Sequence, residues 1–331
     1  AKMLRRYGDR LGYTSHFTIY DTDDQKRVMK EVYKQLGLDD KTLPIKTVLS
    51  GISRAKDQLI SPTELGGANG DFLNKQVSRA YALYQKLLQE ADAMDFDDLL
   101  WNAVRLLREN ADILDYYSDK FRYIMVDEYQ DTNHAQYVFV KLLAGKYRNI
   151  CVVGDDDQSI YRFRGATIEN ILNFEKEYRE AVVIRLEQNY RSTGNILNAA
   201  NEVIKGNTAR KGKTLWTENG EGEKILLYTA PDEQSEARFI ADTILENLRQ
   251  GGKFSDHAIL YRTNAQSNAL ENVFARSGIS YKVIGGTRFY DRKEIRDVMA
   301  YLQVVNNPAD AVRLRRIINE PKRGIGDTTV A

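Results

Sequence analysis

Tyr123-Ile124-Met125-Val126-Asp127-Glu128-Tyr129-Gln130-Asp131 is a short apolar run that stops abruptly in acids. β-Branched and aromatic residues over so short a length read as a strand. Ligands of open α/β sheets sit beyond the carboxyl ends of strands. There one carboxylate can hold Mg²⁺ while its neighbour polarises water for attack on a γ-phosphate. Acids after a strand are also ordinary turn formers, so the surrounding residues must decide.

Downstream, short apolar runs alternate with helical patterns, the signature of parallel strands joined by crossover helices. The expected strands are Tyr123 to Val126, Ile150 to Val153 and Val182 to Leu186, with helices near 134–144, 167–177 and 194–205. A second set has strands at Ile225 to Tyr228, Ala258 to Tyr261 and Tyr281 to Ile284. Its helices lie near 233–249 and 266–277, and a long helix runs from about 291. Upstream, residues 1 to about 120 read as almost wholly helical. Apolar positions recur at helical spacing in Val28, Val32 and Leu36 and in Tyr84, Leu87 and Leu88, and Gly66-Gly67-Ala68-Asn69-Gly70 interrupts the pattern. Two similar α/β domains follow from the shared layout.

The next strand end carries Gly154-Asp155-Asp156-Asp157-Gln158-Ser159-Ile160-Tyr161-Arg162-Phe163-Arg164-Gly165. The amide of Gln158 suits sensing of a phosphate or water. Tyr161 and Phe163 offer stacking faces and Arg164 a backbone clamp. The third strand runs into Glu187-Gln188-Asn189-Tyr190-Arg191-Ser192, an aromatic beside a guanidinium. Arg191 suits a transferring phosphoryl group, or simply caps Glu187 or a nearby acid. Gly206-Asn207-Thr208-Ala209-Arg210-Lys211-Gly212-Lys213-Thr214 imitates a phosphate loop, but five residues separate its glycines where four are required, and a helix precedes it. Arg210, Lys211 and Lys213 are expected as a solvated basic loop, near DNA if anything. No true phosphate loop occurs in the 331 residues.

Composition sets the outer limits. The chain has 42% hydrophobic and 29% charged residues, which fits neither a disordered segment nor a fibre. A formal charge of +1 gives no global attraction to a polyanion, so any nucleic-acid contact must be local. The single Cys151 excludes an internal disulfide framework and suits a reducing, cytoplasmic setting. His16, His134 and His257 lack metal-ligand spacing, and no apolar run approaches a membrane span. Ala1 in place of an initiator Met points to a piece of a longer protein.

In this order, Asp127-Glu128-Tyr129-Gln130, Gly154 to Arg162 and Gln188-Asn189-Tyr190-Arg191-Ser192 resemble the middle motifs of the UvrD/Rep/PcrA-type superfamily-one DNA helicases. Asp95-Phe96-Asp97-Asp98-Leu99, Leu260 to Ser267 and Gly285-Gly286 followed by Phe289 to Glu294 extend the likeness over essentially the whole chain. The resemblance implies two RecA-like, P-loop NTPase-type parallel-sheet domains, both incomplete, with a helical insertion in the first. Residues 1–15 and 93–186 would form the first motor domain, 16–92 the insertion, 187–319 the second motor domain, and 320–331 the start of a second helical insertion.

It also implies ATP and Mg²⁺ as cofactors, with single-stranded DNA and duplex/single-strand junctions as partners. Repair or replication proteins would be further partners, with no membrane involved. Asp127 would hold Mg²⁺, Glu128 would act as general base and Gln158 would couple the γ-phosphate to DNA. Tyr190 would stack near the adenine and Arg191 would reach the γ-phosphate. Phe96, Tyr161, Phe163 and Arg164 match positions that meet DNA, as do Arg262 and Asn264. Where related chains carry Trp, this one has Phe163, a smaller stacking face.

The implied parent is an ATP-dependent 3′–5′ DNA helicase. Without a phosphate loop the chain alone is expected to lack ATPase activity, and a shortened first sheet is expected to favour self-association. The competing reading is a nucleotide-independent single-stranded DNA-binding or scaffold module. A helicase–nuclease subunit would need a further acidic cluster and lysine that this sequence does not show.

Overall fold

The structure is a computed structural model that describes residues 1–67, 72–207, 210–284 and 293–325. The chain separates into two compact units. The first comprises residues 1–187, 202–214 and 293–331, and the second residues 188–201 and 215–292.

In the first unit the decisive run forms strand β3 (Ile124–Val126), paired in parallel with β4 (Ile150–Val152). Ile124 lies opposite Ile150, Met125 opposite Cys151 and Val126 opposite Val152. A helix over His134–Ala144 joins them, as expected, because parallel strands need a crossover. That helix starts at Asn133, whose side chain accepts from the Gln136 amide while the Gln136 side chain accepts from the Asn133 amide.

The stretch expected to be wholly helical contains a second parallel pair. Strand β1 (Thr18–Tyr20) lies beside β2 (Ala93–Asp95), with Thr18 opposite Ala93 and Tyr20 opposite Asp95. Three-residue strands are too short to show an alternating pattern among helices, so periodicity missed them. Helices α1 (Lys2–Tyr7), α2 (Thr22–Leu36), α3 (Ile45–Asp57), α4 (Pro62–Leu65), α5 (Phe72–Glu90), α6 (Phe96–Glu109) and α7 (Ala111–Lys120) complete this part, and the crossover helix is α8.

Between β1 and β2, helices α2 to α5 close a core of Val28, Met29, Val32, Val48, Ile52, Val77, Tyr81, Tyr84 and Leu88. Helix α2 begins in a reciprocal Asp21/Asp24 cap and ends at Gly37, whose φ of 64° only glycine adopts easily. A second core gathers Leu4, Leu11, Phe17, Met94, Leu106, Leu107, Ile113, Tyr117 and Leu143 beside β2 and α6.

Lys56, at the end of α3, joins the two cores. Its buried ammonium lies 2.7 Å from Asp95 and 2.8 Å from Asp98, and Asp95 also accepts from the Tyr84 hydroxyl at 3.0 Å. Burial alone would raise the Asp95 carboxyl. Lys56 and the Asp98 amide outweigh it and hold Asp95 below the usual carboxylate range. Burial pushes Asp98 the other way, up.

The stretch 167–177 forms two short helices, α9 (Glu169–Leu172) and α10 (Phe174–Glu177). Beyond them lie α11 (Gly194–Ile204), α12 (Glu233–Arg249), α13 (Ser267–Ser277), α14 (Lys293–Asn306) and α15 (Ala311–Ile317). Helices α14 and α15 group with the first unit. Arg313 pairs with Asp24 at 2.5 Å, Tyr20 donates to Asp310 at 2.6 Å, and Asn307 donates to the carbonyls of Ala91 and Asp92. The second unit is built on α12 and α13 around Ala237, Ala241, Ile244, Val273, Phe274 and Ile279.

The strands expected at Val182 to Leu186, Ile225 to Tyr228, Ala258 to Tyr261 and Tyr281 to Ile284 do not form. No described residue there joins a ladder, and Leu227 and Leu260 are 89% and 94% exposed. A β-branched run has the local preference, but a strand exists only where a second one supplies its hydrogen bonds. No described helix is long and apolar enough to cross a membrane.

Replacing Lys56 by Met would leave two buried carboxylates facing each other without a cation, and we expect a loss of about 3–5 kcal/mol. Urea unfolding of the Lys56→Met chain measures it, and a midpoint equal to that of the unchanged protein would refute the role given to this ammonium.

Candidate nucleotide and nucleic-acid site

The carboxyl ends of β3 and β4 are stitched together by backbone and side chain. The Val153 amide donates to the Val126 carbonyl at 2.8 Å, and the Tyr129 amide to the Val153 carbonyl at 3.0 Å. Gln130, 1% exposed, completes the seam. Its amide nitrogen donates to Glu128 Oε2 at 2.7 Å, and its oxygen accepts from the Asp155 amide at 2.9 Å. One buried amide therefore fixes the Glu128 carboxylate relative to the turn that carries Gln158.

Glu128 stands at φ 49° and ψ 41°, the left-handed region that non-glycine residues rarely occupy, a strain of about 1–3 kcal/mol. Its amide donates to Asp127 Oδ1 at 2.9 Å. Both carboxylates are exposed at the strand end, and Asp127 Oδ2 has no partner among the described residues. A free, hard carboxylate oxygen beside a second acid fits a hydrated Mg²⁺.

The next turn is a tight acidic knot. Asp155 accepts from the Asp157 amide at 3.0 Å and from the Gln158 side-chain amide at 2.8 Å. Asp155, Asp156 and Asp157 bring one carboxylate oxygen each within 4.8 Å of one another. The loop expected to be solvated and basic lies on this knot instead. Arg210 grips Asp157 with two hydrogen bonds, 2.8 and 2.6 Å, Lys213 pairs with Asp155, and the Lys211 amide donates to Asp156 at 2.7 Å. Burial pushes Asp155 up, but the hydrogen bonds from Lys213 and Gln158 overcome it and hold its carboxyl below the usual range.

Past the knot, Arg162–Arg164 form a 3₁₀ turn closed by Gly165 at φ 83°. The Tyr161 and Phe163 rings lie 6.0 Å apart, tilted by 43°, and Phe163 is 70% exposed. The Arg164 side chain lies outside the described residues. Gly165 packs on Asp57 of α3, so closely that a Cβ there would fall 2.6 Å from Asp57 Oδ2. Asp57 accepts from the Asn133 side chain at 2.6 Å, and burial together with the Asp97 charge pushes it up to about 7. Phe96, 61% exposed, precedes Asp97 at the start of α6. The end of α3 thus links the Phe96 and Phe163 segments through Asp57.

In the second unit Tyr190 is 79% exposed, its hydroxyl donating to Gln188 at 2.9 Å. Arg191 is exposed and makes no ion pair among the described residues. Arg262 and Asn264 are exposed at the turn before α13, where the Gln266 side chain accepts from the Arg262 and Thr263 amides, both at 2.9 Å. Gly285, Gly286 and Phe289 to Arg292 lie outside the described residues.

Residues 1–179 match the family described as the UvrD/REP helicase N-terminal domain, and residues 184–331 the UvrD-like helicase C-terminal domain. The chain belongs to the UvrD/Rep helicase family. It is 51% identical over 330 residues to the ATP-dependent DNA helicase PcrA of Staphylococcus epidermidis and, to the same extent, to that of Staphylococcus aureus. Each match takes in 100% of this chain and 45% of the relative, so the chain spans somewhat under half the length of these UvrD/Rep proteins.

The acids of this UvrD/Rep chain were legible at strand ends, whereas nothing in the sequence gave Asp57 a role, Gln130 was only a motif member, and Arg210 was expected in a solvated basic loop. A glutamine in a polar run gives no sign that it will be 1% exposed. Arg210 lies far from Asp157 in sequence, so only charge complementarity connected them.

Gly154 is the tightest point of the seam. A Cβ there would sit 2.5 Å from Gln130 Oε1, 2.9 Å from Ile171 and 3.1 Å from the Tyr129 amide. Gly154→Ala is expected to cost about 1–3 kcal/mol by overpacking, read as a lowered unfolding midpoint. An unchanged midpoint would mean the seam yields freely.

Proposed function

We propose that this chain is the central part of an ATP-dependent DNA helicase that moves 3′ to 5′ along single-stranded DNA and acts at duplex/single-strand junctions. The observation that carries the reading is the Glu128–Gln130–Asp155–Gln158 hydrogen-bonded path across the ends of β3 and β4. It places a strained acid and an amide in one rigid frame at the edge where open α/β sheets bind ligands. Residues 1–15 and 93–186 are assigned to a first RecA-like domain with 16–92 inserted, 187–319 to a second, and 320–331 to the start of a further helical insertion.

In this reading Asp127 offers its unpartnered oxygen to Mg²⁺, which neutralises charge on the transferring phosphoryl group when bound with ATP. Glu128 takes the proton of the attacking water. Gln158 senses the γ-phosphate and shares its turn with Tyr161 and Phe163, so nucleotide and DNA act on one loop. Tyr190 stacks near the adenine and Arg191, without a pair of its own, reaches the γ-phosphate. Phe96, Tyr161 and Phe163 present faces to bases, while Arg164, Arg262 and Asn264 contact the strand. Stacking and phosphate contacts tolerate any base, so sequence preference is slight. The 331-residue chain alone carries no phosphate-loop pattern and is assigned no ATPase activity of its own. Repair or replication proteins are assigned as the partners of the longer protein.

In the longer protein, Glu128→Gln should keep nucleotide affinity and lower DNA-stimulated ATP turnover about 10²–10⁴-fold. Turnover equal to the unaltered enzyme would remove Glu128 from the base role. Phe163→Ala should weaken binding of a fluorescent single-stranded oligonucleotide by about 1–3 kcal/mol, the worth of one stacked base. Undiminished affinity would return Phe163 to a packing role. Oligonucleotide binding by the longer protein that ignores ATP analogues would favour the binding-module reading.

A further inference from the structure

The acidic knot holds a set of cations that take no part in the proposed hydrolysis or strand contacts. Segment Glu202–Thr214 groups with the first unit although the residues on both sides of it group with the second. Arg210 meets Asp157 through two parallel bonds, with side chains only 16% and 11% exposed. Lys213 meets Asp155 at 19% and 22% exposure, and Lys211 reaches Glu175 with its ammonium and Asp156 with its amide. Arg210 also donates to the Lys213 carbonyl at 3.0 Å, and Arg185 to the Gly212 carbonyl at 3.4 Å, so the segment is itself braced.

A fork-shaped guanidinium on a carboxylate fixes orientation as well as distance, which a lone lysine does not. Low exposure protects these pairs from much of the screening that makes surface pairs weak. Asp155, held from one side by Lys213, is the residue whose other oxygen holds the Gln158 amide. A displacement of the basic segment would therefore reach Gln158 through a single carboxylate.

We propose that Arg210, with Lys211 and Lys213, is a positioning clasp: a basic segment from the later half of the sequence that sets the acidic turn 155–157 and thereby aims Gln158 and orders the Tyr161–Phe163 loop. The clasp rests on the assignment of Gln158 as phosphate sensor only for its effect on turnover; the ordering of the loop stands apart from that assignment. In the assigned helicase whatever shifts the segment also shifts the turn.

Two readouts test it with Arg210→Gln, which keeps a polar side chain without the charge, and Arg210→Lys, which keeps the charge. Amide hydrogen exchange of residues 154–164 is measured in the 331-residue chain. It should accelerate about tenfold in Arg210→Gln and by less in Arg210→Lys, while exchange in α5 stays unchanged. Unchanged exchange at 154–164, or an equal rise throughout the chain, would overturn the clasp.

In the longer protein, Arg210→Gln should lower kcat of single-strand-stimulated ATP hydrolysis about five- to tenfold with KM for ATP moving less than about twofold, and Arg210→Lys should recover part of it. Faster loop exchange with unaltered kcat would overturn the positioning role. If the unaltered longer protein hydrolyses no ATP, the proposed function fails, and the exchange measurement alone then decides for or against the clasp.

Discussion

The buried ammonium of Lys56 is the constraint on which the first unit turns. It holds two carboxylates that would otherwise repel each other, and those two are also the reciprocal cap that starts α6. The same contact therefore sets where α6 begins, how β2 enters it, and how α3 and α5 lie against both. Two hydrophobic cores could pack with some slip between them, because apolar contact is not directional. A lysine shared by two aspartates admits one geometry. Its neighbour Asp57 is fixed by consequence, and Asp57 is what Gly165 packs on. The aromatic loop therefore inherits its position from an ion triad at the end of α3.

A second constraint acts at the strand ends. β3 and β4 are only three residues long, and backbone pairing over that length gives little rigidity by itself. Gln130 supplies the rest by spending both ends of its amide across the gap. Gly154 is needed because the amide comes too close to tolerate a Cβ. Glu128 is held in the left-handed region by the same arrangement. A residue kept in a costly conformation at an exposed strand end, with its carboxylate hydrogen-bonded from below, is organised before any ligand arrives.

How much of this was legible follows from the range of each signal. The crossover helix His134–Ala144 and the helices Glu233–Arg249 and Ser267–Ser277 sit where apolar periodicity placed them, because caps and periodicity are local. Strands β3 and β4 were legible because a strand ending in acids has a local mark. The runs at 182–186, 225–228, 258–261 and 281–284 share that local character and pair with nothing described, since partnership is not written into a segment. β1 and β2 failed for the opposite reason: Thr18 and Ala93 are neighbours across some seventy intervening residues filled with helices. At the site, residue types were readable and linkages were not. Asp127, Glu128 and Gln158 could be named from the strand ends, whereas Gln130 and Arg210 matter only through a burial and a pairing that sequence does not encode locally.

The distribution of charge explains why a formal +1 says so little. Several cations of the first unit are committed internally: Lys56 to Asp95 and Asp98, Arg313 to Asp24, Arg210 to Asp157, Lys213 to Asp155. Cations so engaged cannot also neutralise phosphates without leaving buried acids unpaired, which costs more than a surface contact returns. Large aromatics stay outward: Phe96 and Phe163 in the first unit and, in the second unit, Tyr190. Under the proposed function, affinity for a strand would come from stacking on any base and only secondarily from counterion release. A motor of the proposed kind, releasing and rebinding at every step, would be served by contacts that are short-ranged and indifferent to sequence. Such contacts vanish once a base leaves the face, where a long-range field would hold the strand in place.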